Sequence, residues 1–278
     1  MRQKVNFVVL VVVSLFLINC NQSSSNMKTV KVIFLHHSLG KIVWTGSTSK
    51  WVKAQHKLGM KTAVPKWFAN YNKRSEVKYE LSEIDFPQRD PYGWKNFPYD
   101  YYNLWVKKNG TEQYPDPTLE ELTKAYNVVI IKHCYPVSRI EASNGFDINS
   151  DKKTLENYKA QYQALREKFN QFPDTKFIVW TSAALNKNRT NSEEGERTKE
   201  FVRWVKEEWD KPEDNVYLWD FYELETQGGL FLRDEFVEGE RDSHPNTKFA
   251  QIAYPLFCQR IVDVVENNGS TTDLTGKK

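Results

Sequence analysis

Apolar residues form short, nearly continuous runs along this chain rather than alternating with polar positions. The clearest runs are rich in β-branched residues and lie at Val30–Leu35, Val128–Ile131, Phe177–Trp180 and Val216–Trp219. Runs of this length predict strands that are buried on both faces of a parallel sheet. A further strand is predicted around Val77–Leu81.

Helical patterns lie between these strands. Leu155, Tyr158, Tyr162 and Leu165 recur at helical spacing, and Pro117 precedes a helix start. The remaining helices are predicted to begin near Thr118 and to cover Glu193–Trp209 and Phe249–Val265. Alternation of strands and helices predicts an α/β fold, a three-layer doubly wound sandwich with a mostly parallel central sheet. Apart from one strand, residues 44–117 are predicted to form mainly long loops.

The N-terminal residues have the pattern of a secretory signal. Arg2 and Lys4 precede an apolar run, Phe7–Ile18, that is too short for a comfortable membrane span. The run ends at Asn19-Cys20, which resembles a bacterial lipobox with an unusual residue before the cysteine. We therefore expect lipidation at Cys20 and anchoring to a membrane of the bacterial cell envelope, the outer membrane or cell surface in a Gram-negative cell. An ordinary signal peptide is the alternative.

These features divide the chain. We expect a lipoprotein signal peptide at 1–20, a flexible tether at 21–29, one domain at 30–266 and a polar C-terminal tail at 267–278. Loss of the signal removes two of the 39 Lys and Arg residues, which leaves 37 against 36 Asp and Glu residues. A nearly neutral chain without a long basic block argues against nucleic acid as a partner.

Two cysteines remain in the expected domain. Cys134 and Cys258 form at most one pair, which is not a disulfide framework. Cys258 lies on the apolar face of a predicted helix, so we expect a buried small side chain there. We expect Cys134 to pack near the predicted site, because no cysteine-nucleophile signature surrounds it.

Polar residues with catalytic chemistry follow the first and the last predicted strands. Ser38 comes just after the first strand, and Asp242 and His244 come after the last. The carboxyl ends of parallel strands meet at one edge of a sheet, where ligands bind. A serine, an imidazole and a carboxylate at this edge predict a nucleophile, a base and the group that orients the base. Taken singly, they also fit a helix cap, a loop histidine and a turn residue.

These motifs resemble the SGNH (GDSL-type) hydrolase superfamily. His36-His37-Ser38 occupies the place of Gly-Asp-Ser, and Asp242-Ser243-His244-Pro245-Asn246 stands where Asp-x-x-His-Pro-Asn is expected. The resemblance implies a flavodoxin-like fold, a serine ester hydrolase without a cofactor, Ser38 as the nucleophile and His244 as the base.

The sequence departs from the family pattern in three places, one of which is the second-block glycine, for which Gly93 and Gly40 are both candidates. Asp242 lies two residues before the histidine rather than three, so Asp220 at the end of a strand is the reserve candidate for orienting His244. The block Lys132-His133-Cys134-Tyr135-Pro136 replaces the expected Gly-x-Asn-Asp, which removes an oxyanion donor worth roughly 3 kcal/mol. Candidates for oxyanion or substrate contacts are Gly40, Gly93, Asn103, Lys132 and His133. Shielding of a strand end is the alternative role for Lys132 and His133.

A metal site is a weaker hypothesis. His36, His37, Asp242 and His244 include the ligand types that zinc prefers. Adjacent histidines on an extended segment point in opposite directions, so only one of the pair can join His244. A hydrogen bond in the floor of the site, with His37 as the candidate, is the more economical role. We expect neither a metal nor a cofactor.

Aromatic residues are concentrated in one predicted loop region. Trp94, Tyr99, Tyr101, Tyr102 and Trp105 lie close together, and sugars stack on exposed aromatic rings. Core filling is the alternative for at least half of them. The favoured substrate is an O-acylated, especially O-acetylated, carbohydrate, and lipid and thioester substrates remain open. A non-catalytic surface lipoprotein that binds a glycan or host ligand, and an O-acyltransferase, are the alternative functions.

Overall fold

The central element is a five-stranded parallel sheet. The computed structural model describes residues 28–91, 93–107, 115–143 and 145–278, so the expected signal peptide and Cys20 lie outside the described residues. The strand order is β2-β1-β3-β4-β5, and every neighbouring pair is parallel. The strands are β1 (Lys28–His36), β2 (Val77–Asp85), β3 (Val128–Ile131), β4 (Lys176–Trp180) and β5 (Val216–Trp219). This is the flavodoxin-like order of a doubly wound sheet, and it confirms the predicted fold class.

Helices cover both faces of the sheet. They are α1 (Ser38–Thr45), α2 (Lys50–Lys57), α3 (Ala63–Tyr71), α4 (Pro98–Tyr101), α5 (Leu119–Ala125), α6 (Leu155–Phe169), α7 (Ser192–Trp204), α8 (Phe221–Thr226) and α9 (Thr247–Asn267). A wider, π-helical turn extends α4 over Tyr102–Lys107 and α7 over Val205–Trp209. No helix in the described part of the chain is long and apolar enough to cross a membrane.

Successive residues of the strands face two different cores. In β1, Val32 and Phe34 join a core with α1, α3 and α9, whereas Ile33 and Leu35 join a second core with α6 and α7. Strand side chains alternate between faces, so a sheet covered on both sides needs apolar residues at every position. This requirement explains the continuous apolar runs.

The structure corrects the prediction of loops before β2. Helices α2 and α3 occupy much of that region, and α1 begins at Ser38. The hydrophobic pattern does not predict α2, because none of its residues is buried and it therefore lacks an inward apolar face. β1 also begins at Lys28, inside the expected tether.

The C-terminal residues pack against the fold rather than leaving it. The Trp219 indole donates a hydrogen bond to the Thr275 carbonyl at 2.9 Å, and the Asp220 N–H donates to the Leu274 carbonyl at 2.7 Å. Leu274 also contacts the α6 and α7 core. Residues beyond 266 are therefore part of the packed structure, and hydrogen bonds to the end of β5 hold them there.

Candidate active site

Ser38 lies where β1 ends and α1 begins. His37 has an extended backbone and occupies the cap position of α1, so Ser38 is the first residue of that helix. The Ser38 side chain is exposed, and its Oγ lies 2.8 Å from His244 Nε2. The chain thus turns sharply at Ser38 and presents the hydroxyl at the carboxyl edge of the sheet.

His244 and Asp242 lie on the segment that leads into α9. Asp242 Oδ1 accepts two hydrogen bonds from His244, one from its backbone N–H at 2.9 Å and one from its ring Nδ1 at 2.7 Å. Because Nδ1 carries the hydrogen in this contact, Nε2 is left as an acceptor for the Ser38 hydroxyl. The two-residue spacing between the carboxylate and the imidazole produces this arrangement directly.

Two asparagines fix the segment that carries His244. The Asn186 amide donates to the carbonyls of Gly239, Glu240 and Asp242, and its backbone N–H donates to Ser243 Oγ at 3.0 Å. At the start of α9, Asn246 Oδ1 accepts from the Phe249 N–H. The backbone on both sides of His244 is therefore tied to neighbouring elements. Asn186 was missed from the sequence, since it lies far away in the chain.

Opposing effects act on the pKa of Asp242. Partial burial would raise it, but the backbone and ring hydrogen bonds from His244 outweigh burial and hold the pKa below its usual range. Asp242 is therefore ionised at neutral pH and can stabilise positive charge on the imidazole. The chain Ser38–His244–Asp242 has the contacts needed to move a proton from the serine to the histidine.

Tyr135 packs against the imidazole. Its ring meets the His244 ring edge to face, with centroids 5.0 Å apart and an angle of 88° between the planes. Tyr135 follows β3 in the block Lys132-His133-Cys134-Tyr135-Pro136. The sequence identified the block, but not this contact.

Gly40 allows α1 to approach the strand ends closely. A Cβ atom at this position would lie 2.5 Å from the Cβ of His36 and 3.0 Å from the Cδ of Lys132. Only glycine fits without a shift of α1. The structure gives Gly40 a packing role beneath Ser38, and its backbone N–H lies in the first turn of α1.

Lys132 and His133 are buried, in agreement with the alternative in which they shield a strand end. Lys132 Nζ donates to Cys134 Sγ at 3.1 Å. His133 Nδ1 donates to the Asn96 carbonyl at 3.1 Å, and burial lowers the pKa of His133 to about 3. Neither side chain lines the clefts at Ser38.

Asn103 and Gly93 also lie away from these clefts. The Asn103 amide donates to the Tyr99 carbonyl at 2.7 Å, within its own helix. Gly93 is an exposed turn residue with a φ of 71°. The oxyanion candidates were chosen by residue type, whereas tertiary packing decides which polar groups reach the site.

Asp220 does not serve as the partner of His244. It caps α8, forms an ion pair with Lys206 and accepts a hydrogen bond from Thr181 at 3.0 Å. The structure therefore contradicts the reserve hypothesis, because Asp242 is the carboxylate in contact with the imidazole. Asp220 does lie at the end of a strand, as the hypothesis required, but it caps α8 instead of contacting the segment that carries His244.

The adjacent histidines point in different directions, as their extended backbone requires. His36 is fully buried; its Nε2 lies 2.7 Å from a Glu83 oxygen, and Glu83 also contacts His56 on α2. His37 donates to the Pro87 carbonyl at 2.8 Å, and burial lowers the pKa of His37 to about 4. The buried contact beneath the Ser38 turn is thus made by His36 rather than by His37.

The described residues contain no group of three or more His, Cys, Asp or Glu side chains arranged to hold a metal ion. Cys134 and Cys258 are both buried and unpaired. Cys258 lies in the α9 core, as expected, and Cys134 lies beside Lys132.

The aromatic cluster fills the core. Tyr101 and Trp105 are fully buried, Tyr102 is buried, and Trp94 and Tyr99 are half-buried. Tyr101 and Trp105 belong to the core that α6 covers, and Trp94 packs against it, so the cluster does not form an exposed stacking platform. The expectation of a sugar-binding aromatic surface here is therefore wrong for the three buried rings.

Ser38 lines two clefts. The wider one, of about 660 Å³, lies beside Asp85, Gln88 and Arg89. The smaller one lies between α1, α2 and the segment before α9 and has a volume of about 210 Å³. Polar side chains line much of it: Lys41, Thr45, Ser47, Thr48, Lys53, Glu238 and Asp242. A cleft of this size accommodates a small group and leaves the rest of a larger substrate outside.

Comparison with protein-family models finds no match, and comparison with curated proteins also finds none. Among solved structures, the chain is similar to a gut microbial diltiazem-metabolizing enzyme, with 13% identity, coverage of 83% of this chain and 46% of that one, and a TM-score of 0.47. The chain thus spans a little under half of that enzyme's length.

Two further solved structures are those of esterases. One is a catalytic mutant of Axe2, an acetylxylan esterase from Geobacillus stearothermophilus, with 12% identity, coverage of 82% of this chain and 92% of that one, and a TM-score of 0.41. The other is a carbohydrate esterase with 13% identity, coverage of 84% of this chain and 64% of that one, and a TM-score of 0.39.

Proposed function

We propose that this protein is a serine ester hydrolase of the SGNH type that works through an acyl-enzyme. The observation that carries the proposal is the hydrogen-bonded chain from Ser38 through His244 to Asp242 at the mouth of a cleft. A binding protein has no need for a hydroxyl, an imidazole and an ionised carboxylate in this order. The resemblance of the two sequence motifs to the SGNH pattern supports the same function.

In the proposed reaction, Ser38 Oγ attacks the carbonyl carbon of the ester while His244 Nε2 takes its proton. The tetrahedral intermediate then collapses, the bond to the alcohol breaks, and His244 returns the proton to the leaving oxygen. Water repeats the sequence on the acyl-enzyme and releases the acid. Asp242 holds the tautomer of His244 and stabilises the imidazolium during both steps.

Backbone N–H groups at the start of α1 are the proposed oxyanion donors. The first N–H groups of any helix lack intrahelical acceptors, and the helix dipole favours negative charge there. Leu39 and Gly40 supply such groups immediately after the nucleophile. Each donor of this kind contributes roughly 3 kcal/mol to stabilisation of the transition state. This assignment replaces the side-chain donors that burial removes from consideration.

For the substrate, we propose an O-acyl group, in particular acetyl, on a carbohydrate. The volume of the smaller cleft supports a short acyl chain, and the wider cleft leaves room for the alcohol part of the substrate. Ser47, Thr48, Lys53 and Glu238 around the smaller cleft offer hydroxyl and charged groups to the hydroxyls of a sugar. Release of acetate from acetylated polysaccharides, compared with release from long-chain esters, tests this choice.

We also propose that the protein is lipidated at Cys20 and anchored in a bacterial envelope. The lipobox-like sequence at the end of the apolar run supports this proposal. Incorporation of radiolabelled palmitate into the full chain, and its absence in Cys20→Ser, is the expected result. Equal labelling of both proteins would contradict it.

A fluorophosphonate probe tests the enzyme assignment without knowledge of the substrate. In protein made from residue 27 onward, which contains every described element, we expect an adduct on Ser38 located by peptide mass spectrometry. Ser38→Ala should lose the adduct and the turnover of acetyl esters while keeping the wild-type melting temperature, because Ser38 is exposed. His244→Ala should lose most of the labelling.

The opposite result is equally informative. A folded protein without a Ser38 adduct, or a Ser38→Ala variant with wild-type turnover, would overturn the hydrolase. In that case, direct binding of glycans by the wild-type protein would favour the non-catalytic alternative.

A further inference from the structure

Helix α2 lies on the surface with apolar side chains facing outward. None of its residues is buried, and Trp51 and Leu58 are 71% and 79% exposed. At 3.6 residues per turn, positions 51, 54 and 58 share one face of the helix. Met60, just beyond the helix, is 51% exposed. Large apolar side chains concentrated at one place on a surface indicate an interaction site.

Positive charge surrounds these apolar side chains. Residues 28 to 75 contain ten Lys and Arg residues and no Asp or Glu residue. Lys50, Lys57 and Lys61 are exposed on and beside α2, and none of the three forms an ion pair with a described residue. Two neighbouring acids are already engaged, because Glu83 contacts His56 and Asp85 contacts Lys41.

We propose that this part of the protein docks on a lipid bilayer that contains anionic lipids. The docking surface consists of Lys50, Trp51, Lys57, Leu58, Met60 and Lys61. Exposed Trp and Leu flanked by lysines, without acidic residues, is the composition of helices that lie in the membrane interface. Lysines attract anionic headgroups, and the tryptophan ring suits the headgroup level.

The chemistry of the docking surface favours lipid over an anionic polysaccharide. Charge alone fits either partner. Leu58 and Met60, however, favour binding only when their side chains leave water for an apolar medium, because that transfer lowers the free energy. The acyl region of a bilayer supplies such a medium. A hydrated polysaccharide offers no such medium.

Docking through α2 also orients the candidate active site. Lys53 lies two positions after Trp51, about 200° around the helix, and lines the cleft that holds Ser38. The cleft is therefore on the far side of α2 from the apolar face. A helix is about 10 Å across, so the mouth of the cleft stands roughly one helix width from the bilayer surface. The docking proposal does not depend on the proposed hydrolase activity.

Co-sedimentation with vesicles tests the proposal on protein made from residue 27 onward, which lacks Cys20. The vesicles contain either phosphatidylcholine alone or phosphatidylcholine and phosphatidylglycerol in equal parts. We expect binding to the mixed vesicles, weaker binding as salt is added, and little binding to phosphatidylcholine alone. Equal binding to both vesicles, or binding to neither, would overturn the proposal.

Variants separate the contribution of the lysines to vesicle binding from that of the apolar side chains. Replacement of Lys50, Lys57 and Lys61 by Gln should weaken partitioning roughly a hundredfold, since each lysine near an anionic surface contributes roughly fivefold. Trp51→Ser with Leu58→Ser should weaken it by about tenfold or more. All these positions are exposed, so melting temperatures and fluorophosphonate labelling of Ser38 should stay at wild-type values.

Matched controls lie on other surfaces of the chain. Gln at exposed Lys124, Lys211 and Lys277 removes the same charge, and Phe146→Ser removes a side chain that is 64% exposed. Both controls should bind vesicles like the wild type, and an equal loss in them would overturn the proposal. A third outcome is that the wild-type protein binds soluble polygalacturonate but not vesicles, and that the docking-surface variants lose this binding. That outcome would assign the surface to a polysaccharide instead.

Discussion

Asp242 and His244 are joined twice, because Oδ1 of the aspartate accepts both the backbone N–H and the ring Nδ1–H of the histidine. The backbone bond fixes the position of the carboxylate oxygen independently of the ring. The imidazole is therefore oriented by an acceptor that its own backbone holds in place.

This double contact predicts a difference between two substitutions. In Asp242→Asn, the amide oxygen can still accept both bonds, so the tautomer survives and only the negative charge is lost. We expect the rate of fluorophosphonate labelling to fall by roughly 10²-fold, because the imidazolium formed during attack loses a charged hydrogen-bond partner, a contact that contributes about 1.5 to 3 kcal/mol. Asp242→Ala loses orientation as well and should cost on the order of 10⁴-fold.

Asp220→Asn is the matched control. Asp220 contacts Lys206 and Thr181, so this change should lower the melting temperature and leave the labelling rate near wild type. Wild-type labelling by Asp242→Ala would contradict the assigned role of Asp242.

Gly40→Ala should disturb the site through packing. The added methyl group would meet His36 and Lys132 at distances that require α1 to move, and Ser38 lies at the start of α1. We expect a loss of about 1 to 3 kcal/mol in the free energy of unfolding together with slower labelling. Denaturant unfolding and the labelling rate measure the two effects.

Gly239→Ala provides the comparison for this change. A Cβ there would meet only the Cβ of Asp242, at the ordinary distance of 3.9 Å. Stability and labelling should both stay close to wild type. If Gly40→Ala behaves in the same way, α1 does not need its close approach to the strand ends.

Tyr135 should act through the orientation of His244. An edge-to-face aromatic pair contributes about 0.5 to 1.5 kcal/mol, so Tyr135→Ala should slow labelling by roughly 2- to 10-fold. Tyr135→Phe keeps the ring and should label at the wild-type rate. A slow Phe variant would instead show that the hydroxyl group is required.

The sequence predicted the parts of this protein that follow from local pattern. The strands were recognisable because each is buried on both faces, as Phe34 and Leu35 illustrate by facing opposite cores. Ser38 and His244 were found because parallel strands bring their carboxyl ends to one edge. The contact between them, over 206 positions of the chain, is a tertiary property that the motifs indicated but did not determine.

The errors arose where burial decides the role of a polar residue. Lys132 follows β3 directly and looks available for chemistry, yet its side chain is completely buried in the folded chain. Helix α2 was missed for the opposite reason, since it packs too lightly to need an apolar inner face. Neither fact can be read from residue type or spacing.

Glu225 on α8 should make stability depend on pH. Its side chain is completely buried; Oε2 accepts the Ala184 N–H at 2.6 Å, and Oε1 has no hydrogen-bond partner among the described residues. Burial raises the pKa of Glu225 well above its usual value, more than the Ala184 bond and the charge of Lys132 lower it. The folded protein therefore keeps a proton that the unfolded chain loses above about pH 4.

The sign of the effect follows from proton linkage. Above the unfolded pKa, the folded state binds more protons, so the free energy of unfolding falls by up to about 1.4 kcal/mol per pH unit until the folded pKa is reached. Glu225→Gln keeps the shape of the side chain and an oxygen that accepts the Ala184 N–H, but it has no group that titrates. Relative to wild type, the variant should therefore gain stability progressively as the pH is raised above about 5. Denaturant unfolding across this range measures the gain. Glu208→Gln, at an exposed position, is the control for loss of a surface charge. If the free energies of unfolding of wild type and Glu225→Gln change with pH in parallel, the prediction is contradicted.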